Sequence, residues 1–307
     1  MVKTITNALL LTSLLLAGCT ADETTDANAG RSPMELTTPL TIESASLDAE
    51  LMTRATSSTI TSGSIGVFLS GVDYVAVNNS QYTNGGSGWS PAGVGINLGA
   101  KDAQVCAYYP WVSTYNNSTA IPLTSQVYDA AKDLSYAVNQ TKNGTSSSAS
   151  AIAFNMVKAY ARLKIQFKRA DYPGTCVVSK VTLKNLLPNA TLNITNGAYS
   201  ASTGTLGSEL VRTVNVTVGT GSTATVWADY LLVPCRPAET GMVVSLVVDG
   251  KPMTTTVPWS GGYSPAAGAY VAITLTIKGT NLGGISVTKE DWPSATDGGE
   301  HTPLPVP

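Results

Sequence analysis

Apolar and polar side chains alternate at a period of two along much of the chain, the spacing of strands that bury one face and wet the other. The first such stretch is Pro39-Leu40-Thr41-Ile42-Glu43. Further strands are predicted at Ile65-Gly66-Val67-Phe68-Leu69, at Val105-Cys106-Ala107-Tyr108-Tyr109-Pro110-Trp111 and, as a short piece, at Asp133-Leu134-Ser135-Tyr136-Ala137-Val138. Turns rich in Gly and Asn, such as Asn84-Gly85-Gly86, separate them. Phe154 to Tyr160 fits a short helix or the start of a strand equally well.

The second half is more regular. Leu163, Ile165 and Phe167 alternate with Arg162, Lys164, Gln166 and Lys168, which assigns the first set to a core and the second to solvent. The same rhythm returns in Val181-Thr182-Leu183, in Val214-Asn215-Val216-Thr217-Val218 and from Val271 to Ile277. Asp249-Gly250, between the apolar run Met242 to Val248 and the segment Thr254 to Trp259, marks a hairpin. Seven or eight strands between Ala159 and Ile277 make one complete β-sandwich. Gly279, Gly283 and Gly284 then break the pattern before the short alternating piece Ile285-Ser286-Val287-Thr288, and the chain from Asp291 to Pro307 is turn-like.

With 307 residues and 43% hydrophobic side chains there is enough chain for two cores. The expected fold class is therefore all-β, with two β-sandwiches in tandem. The polar stretch Gln140 to Ser150 is the best boundary or long loop, which divides the chain into an N-terminal sandwich over 55–148 and a C-terminal one over 149–279, followed by a tail over 280–307.

The beginning of the chain has a different character. Lys3 followed by the apolar run Ala8 to Leu16 has the form of a secretion signal, too short to span a bilayer. Leu16-Ala17-Gly18-Cys19 fits a lipobox, so residues 1–18 are expected to be removed and Cys19 to carry acyl chains that anchor the chain to a membrane without crossing it. Residues 20 to 38 hold little to bury and read as a tether.

Composition narrows the chemistry. A net charge of −2 with 12% charged residues leaves no surface for nucleic acid, and 28 glycines among abundant Thr, Ser, Val and Asn suit many short strands joined by turns. The single histidine, His301, lies in the tail, so neither a Ser-His-Asp nor a Cys-His site is expected. Cys106, Cys176 and Cys235 are too widely spaced for a metal site or a disulfide framework and read as small core residues. No Gly-rich loop follows a strand to hold a nucleotide, and no spacing marks a carboxylate pair among the 20 acids. No catalytic residue, metal or cofactor is therefore expected. Tyr108, Tyr109, Trp111, Trp227, Trp259 and Tyr263 are the candidates for a sugar-stacking platform, with core packing as the alternative.

Taken in order, the lipobox at Cys19, the Thr53-Arg54-Ala55-Thr56 step before the first main strand, Ala107-Tyr108-Tyr109-Pro110, Asp133-Leu134-Ser135-Tyr136-Ala137 and the last strand running into Gly283-Gly284-Ile285-Ser286-Val287 resemble the Bacteroidetes fimbrillin family over nearly the whole chain. The resemblance implies transthyretin-like sandwiches that assemble into a type V fimbria at the cell surface. It further implies transport to the outer membrane as a lipoprotein and removal of the leader, residues 19–54, by an Arg-specific protease cutting between Arg54 and Ala55. Arg31 is a rival site that would spare the first strand. Under this scheme Leu40 and Ile42 belong to a capping strand lost on cleavage, and Ile285 and Val287 are the candidates for a strand donated to another subunit, unless they close their own sheet. The partners are then other fimbrial subunits and a receptor or glycan on another surface. The alternative is a surface lipoprotein that stays anchored through Cys19 and binds glycans without polymerising.

Overall fold

The computed structural model describes residues 35–47, 58–201, 209–221, 226–235, 240–259, 265–279 and 281–290. Apart from one 3-10 turn at Ala130–Lys132, these residues form strands and loops, so the all-β expectation holds. Cys19, Arg31, Arg54, Ala55, Tyr263 and His301 lie outside the described residues.

The largest sheet has eight strands. In spatial order these are Ser58–Thr59, Thr41–Leu47, Ala151–Lys158, Ser135–Lys142, Ala103–Tyr109, Ser62–Ser70, Val77–Gly85 and Trp89–Pro91. Its central strands are buried on both faces. Ile65, Val67, Val105 and Ala107 face one core with Ile152, Phe154 and Met156, while Phe68, Cys106 and Tyr108 face another. This double burial explains why Val105 to Tyr109 is a continuous apolar run rather than an alternation. Gly66 sits where Tyr108 crosses the sheet: a Cβ there would lie 2.2 Å from Tyr108 Cε1.

Two further sheets face each other around a separate core. One holds Gln126–Val127, Val226–Leu232, Ala161–Arg169, Tyr270–Lys278 and Asn281–Glu290; the other holds Leu210–Thr217, Val177–Lys184, Gly241–Val248 and Lys251–Pro258. Leu163, Ile165, Phe167, Val244, Leu246, Ile273 and Leu275 interdigitate between them. Asp249 (φ 46°) and Gly250 (φ 76°) make the expected tight hairpin. A small sheet of Ile121–Thr124, Asn189–Asn193 and Ala198–Ala201 packs in a third core with Phe68 and Tyr108 of the eight-stranded sheet and Leu231 of the five-stranded one.

Two sequence expectations need correction, and the choice left open at Phe154–Tyr160 falls to a strand. Gln140 to Ser150 does not join the two regions. Gln140, Thr141 and Lys142 extend a strand that pairs with Val105, Gln104 and Ala103, and the following loop leads into Ala151–Lys158, which pairs back at Ser135↔Lys158 and Tyr136↔Val157. Ala151–Lys158 is thus a strand of the eight-stranded sheet, and the chain passes to the next sheet at Ala159–Tyr160. Polar composition marked a hairpin loop here, because loops within a sheet and loops between sheets are solvated alike. Finally, Arg162 and Lys164 are not wet: they are 3% and 9% exposed, covered where the chain packs over the outer face of their sheet.

Candidate functional site

The first main strand is inserted into the eight-stranded sheet rather than laid on it. Thr41–Leu47 runs parallel to Ala151–Lys158, with Ile42 opposite Ile152, Ser44 opposite Ala153 and Leu47 opposite Met156. Glu43 is the extra residue of a bulge, and it reverses which positions point inward. Ile42 and Ala45 both reach the core for that reason, although a strict alternation would send one of them outward. On its other side the strand pairs antiparallel with Ser58–Thr59, through Ser46↔Thr59 and Leu47↔Ser58.

Its approach is also pinned. The Leu40 N–H donates to Ile96 O at 2.8 Å, the Thr41 N–H to Ser150 O at 3.2 Å, and Thr38 Oγ1 to Gly144 O at 2.7 Å. Leu40 and Ile42 are 5% and 6% exposed, and with Ala45 they cover Ile96, Leu98, Ile152 and Phe154. The strand therefore fills a slot lined by apolar side chains, pairing with the backbone of Ala151–Lys158 on one side and of Ser58–Thr59 on the other.

The last described strand, Asn281–Glu290, forms a hairpin with Tyr270–Lys278, and Ile285 lies opposite Leu275 and Val287 opposite Ile273. Here the segment closes its own sheet, the alternative considered for it. It begins earlier than its alternating piece, at Asn281, with Leu282 packed against the core. Gly284 (φ 60°) is the extra residue of a bulge in this strand, a conformation that glycine takes without strain. Ile285 is 40% exposed, and the strand stands at the outer edge of its sheet.

The four aromatic candidates whose side chains are described do not converge. Tyr108 and Trp111 pack in the core behind the eight-stranded sheet, Tyr109 packs on its opposite face, and Trp259 is buried in the core between the five- and four-stranded sheets. Among the described residues no cluster of three or more His, Cys, Asp or Glu side chains could hold a metal, and Cys106, Cys176 and Cys235 are free thiols. No helix among the described residues is long and apolar enough to cross a membrane.

The comparisons with known proteins agree with this architecture. The profile of the fimbrillin-like family matches residues 53–292, and the chain belongs to that family. A crystal structure of a protein of Bacteroides uniformis, described as a candidate for cell adhesion, superposes with a TM-score of 0.59 at 21% identity, covering 83% of this chain and 98% of that one. A protein of Bacteroides ovatus described in the same words gives 0.60 at 19% identity, with 83% and 98% covered. One from Bacteroides eggerthii gives 0.52 at 12% identity, with 85% and 98% covered. At these identities the likeness is one of fold. No curated protein matches the chain.

Proposed function

We propose that the chain is a structural subunit of a surface fimbria serving adhesion, with no catalysis of its own. It is exported as a lipoprotein acylated at Cys19, matured by Arg-specific cleavage between Arg54 and Ala55, and joined to its neighbours by strand exchange. Each subunit would carry both regions of the chain together, with the passage between them at Ala159–Tyr160.

The observation that carries this reading is the placement of Leu40, Ile42 and Ala45 in the core, on a strand that precedes Arg54 in the chain. A cut after Arg54 frees that strand from everything that follows. Its departure would uncover apolar side chains worth about 1.5–3 kcal/mol each when fully buried, and would leave two strands without partners along one side. Such a slot favours any strand of matching pattern, which adds backbone pairing and side-chain contacts together.

The C-terminal strand has a suitable pattern. Ile42, Ala45 and Leu47 recur in spacing as Leu282, Ile285 and Val287, and each strand carries its bulge between the first and second of the three. A strand from a second copy could present its apolar side chains in the register that the slot requires.

The test is treatment of the purified non-acylated chain with an Arg-specific protease, followed by sequencing of the new N-terminus and electrophoresis without boiling. A product starting at Ala55, with heat-labile ladders that disappear when residues 280–307 are deleted, is the expected result. A chain left intact and monomeric, or degraded without a discrete product, would overturn the cleavage and exchange scheme.

A further inference from the structure

Between two neighbouring strands of the eight-stranded sheet, Ala103–Tyr109 and Ser135–Lys142, the chain makes a long excursion. Its middle part, Ile121 to Tyr128, forms no strand pairs with the sheet it has left. Ile121–Thr124 pairs antiparallel with Asn189–Asn193, through Ile121↔Leu192 and Leu123↔Ala190. Gln126 and Val127 then pair with Leu231 and Tyr230 at the edge of the five-stranded sheet.

Ser125 is the joint where the segment changes sheets, and it is held from three directions. Its N–H donates to Pro188 O at 2.8 Å, its hydroxyl donates to Leu187 O at 2.8 Å, and the same oxygen accepts from the Val233 N–H at 3.1 Å. Beyond it, the Tyr128 N–H donates to Asp229 O at 2.9 Å, and the Tyr128 ring lies 3.7 Å from the Arg162 guanidinium carbon. Arg162 in turn grips Asp229 through Nε and Nη2, the latter at 2.6 Å. These contacts account for the burial of Arg162, whose charge the alternating pattern had assigned to solvent.

Apolar packing acts in the same direction. Ile121 and Leu123 are buried in a third core shared by Phe68 and Tyr108 of the eight-stranded sheet and by Leu192 and Leu231 of the later strands. The two regions of the chain therefore share a core as well as a woven segment.

We propose that Ile121–Tyr128 is a strap that makes the two regions a single unfolding unit. Opening the second half strips the strap of its strand pairs, and opening either region uncovers the shared core, because both ends of the excursion are anchored in the first sheet and its middle is anchored in the second half. A fimbrial subunit pulled along its length would yield all at once, but the strap itself does not depend on that role.

Differential scanning calorimetry of the full chain provides the test. One transition is expected, with calorimetric and van't Hoff enthalpies in a ratio near one, as for a two-state unit. Leu123→Asp places a charge in the shared core and should detach the strap, splitting the transition in two or raising that ratio toward about two. If that variant does not fold, the double variant Ser125→Ala/Tyr128→Ala, which removes only the joint and the stack, should raise the ratio in the same direction. Two transitions in the unaltered chain, or a single transition in a folded variant, would overturn the proposal. Neither result bears on protease cleavage or on ladder formation, so it stands or falls apart from the fimbrial reading.

Discussion

Ile42 lies directly opposite Ile152 in a parallel ladder, and both side chains are buried in the core on which the eight-stranded sheet folds. A strand near the beginning of the chain is thus held by one that arrives more than a hundred residues later. Pairing at that separation closes a long loop, and the entropy of that closure is lost before the contact repays it.

Ile42→Ala should accordingly destabilise the uncleaved chain by about 2–5 kcal/mol, the range for emptying a buried aliphatic site. Equilibrium urea denaturation of the uncleaved chain would show it as a lowered midpoint with an unchanged slope. Once the chain has been cut at Arg54 and the strand released, the same substitution should have no effect on what remains.

Gly66→Ala should be costly for a steric reason. The new Cβ would lie 2.2 Å from Tyr108 Cε1 and 2.5 Å from Asn79 Oδ1. Tyr108 cannot easily yield, because its hydroxyl lies 2.7 Å from Asn79 Oδ1 and accepts from the Val112 N–H at 3.1 Å. A loss of about 1–3 kcal/mol is expected, and Gly66→Ala combined with Tyr108→Phe should not restore it, since the ring itself is in the way.

Acid should loosen the hairpin end of the four-stranded sheet through Asp249. Its carboxylate accepts the Val177 N–H at 2.8 Å and the Cys176 N–H at 2.9 Å, and these bonds hold its carboxyl below the usual carboxylate range. A group depressed in the folded state contributes stability above its unfolded pKa of about 3.9, and that contribution is lost as pH falls through the lower folded value. Asp249→Asn should therefore lower the thermal midpoint near neutrality and flatten its fall below about pH 4. An unchanged acid limb in the variant would show that other carboxylates govern it.

Thiol labelling of the native chain should be selective. Burial pushes the Cys106 thiol up to about 12 and raises Cys176 as well, and both side chains are enclosed, whereas Cys235 is half-buried. At about pH 8, the usual range of a free thiol, a maleimide should, among Cys106, Cys176 and Cys235, modify Cys235 first and reach the other two only on unfolding. Mass spectrometry of the labelled native chain checks this, and equal labelling of the three would contradict the packing described for Cys106 and Cys176.

Much of this architecture was legible in the chain itself. A period of two at Leu163, Ile165 and Phe167 located a core strand because a pleated backbone sends alternate side chains to opposite faces. Asp249-Gly250 located a hairpin because few residue pairs tolerate two successive positive φ angles. The buried state of Leu40 and Ile42 could be read from the same alternation.

Other features depend on contacts between distant segments, and no local pattern encodes those. The bulge at Glu43 that brings both Ile42 and Ala45 inward follows from register against Ala151–Lys158. The placement of Ala151–Lys158 in the first sheet follows from pairing with strands on either side of it. Arg162 looked like a solvated position because alternation predicts only that it faces away from its own core. It is buried because the Tyr128 ring lies over it, while Tyr270 and Asp229 flank it from the neighbouring strands. Periodicity specifies the faces of a strand; only the tertiary fold decides what covers each face, since that depends on which remote segment finds its lowest free energy there.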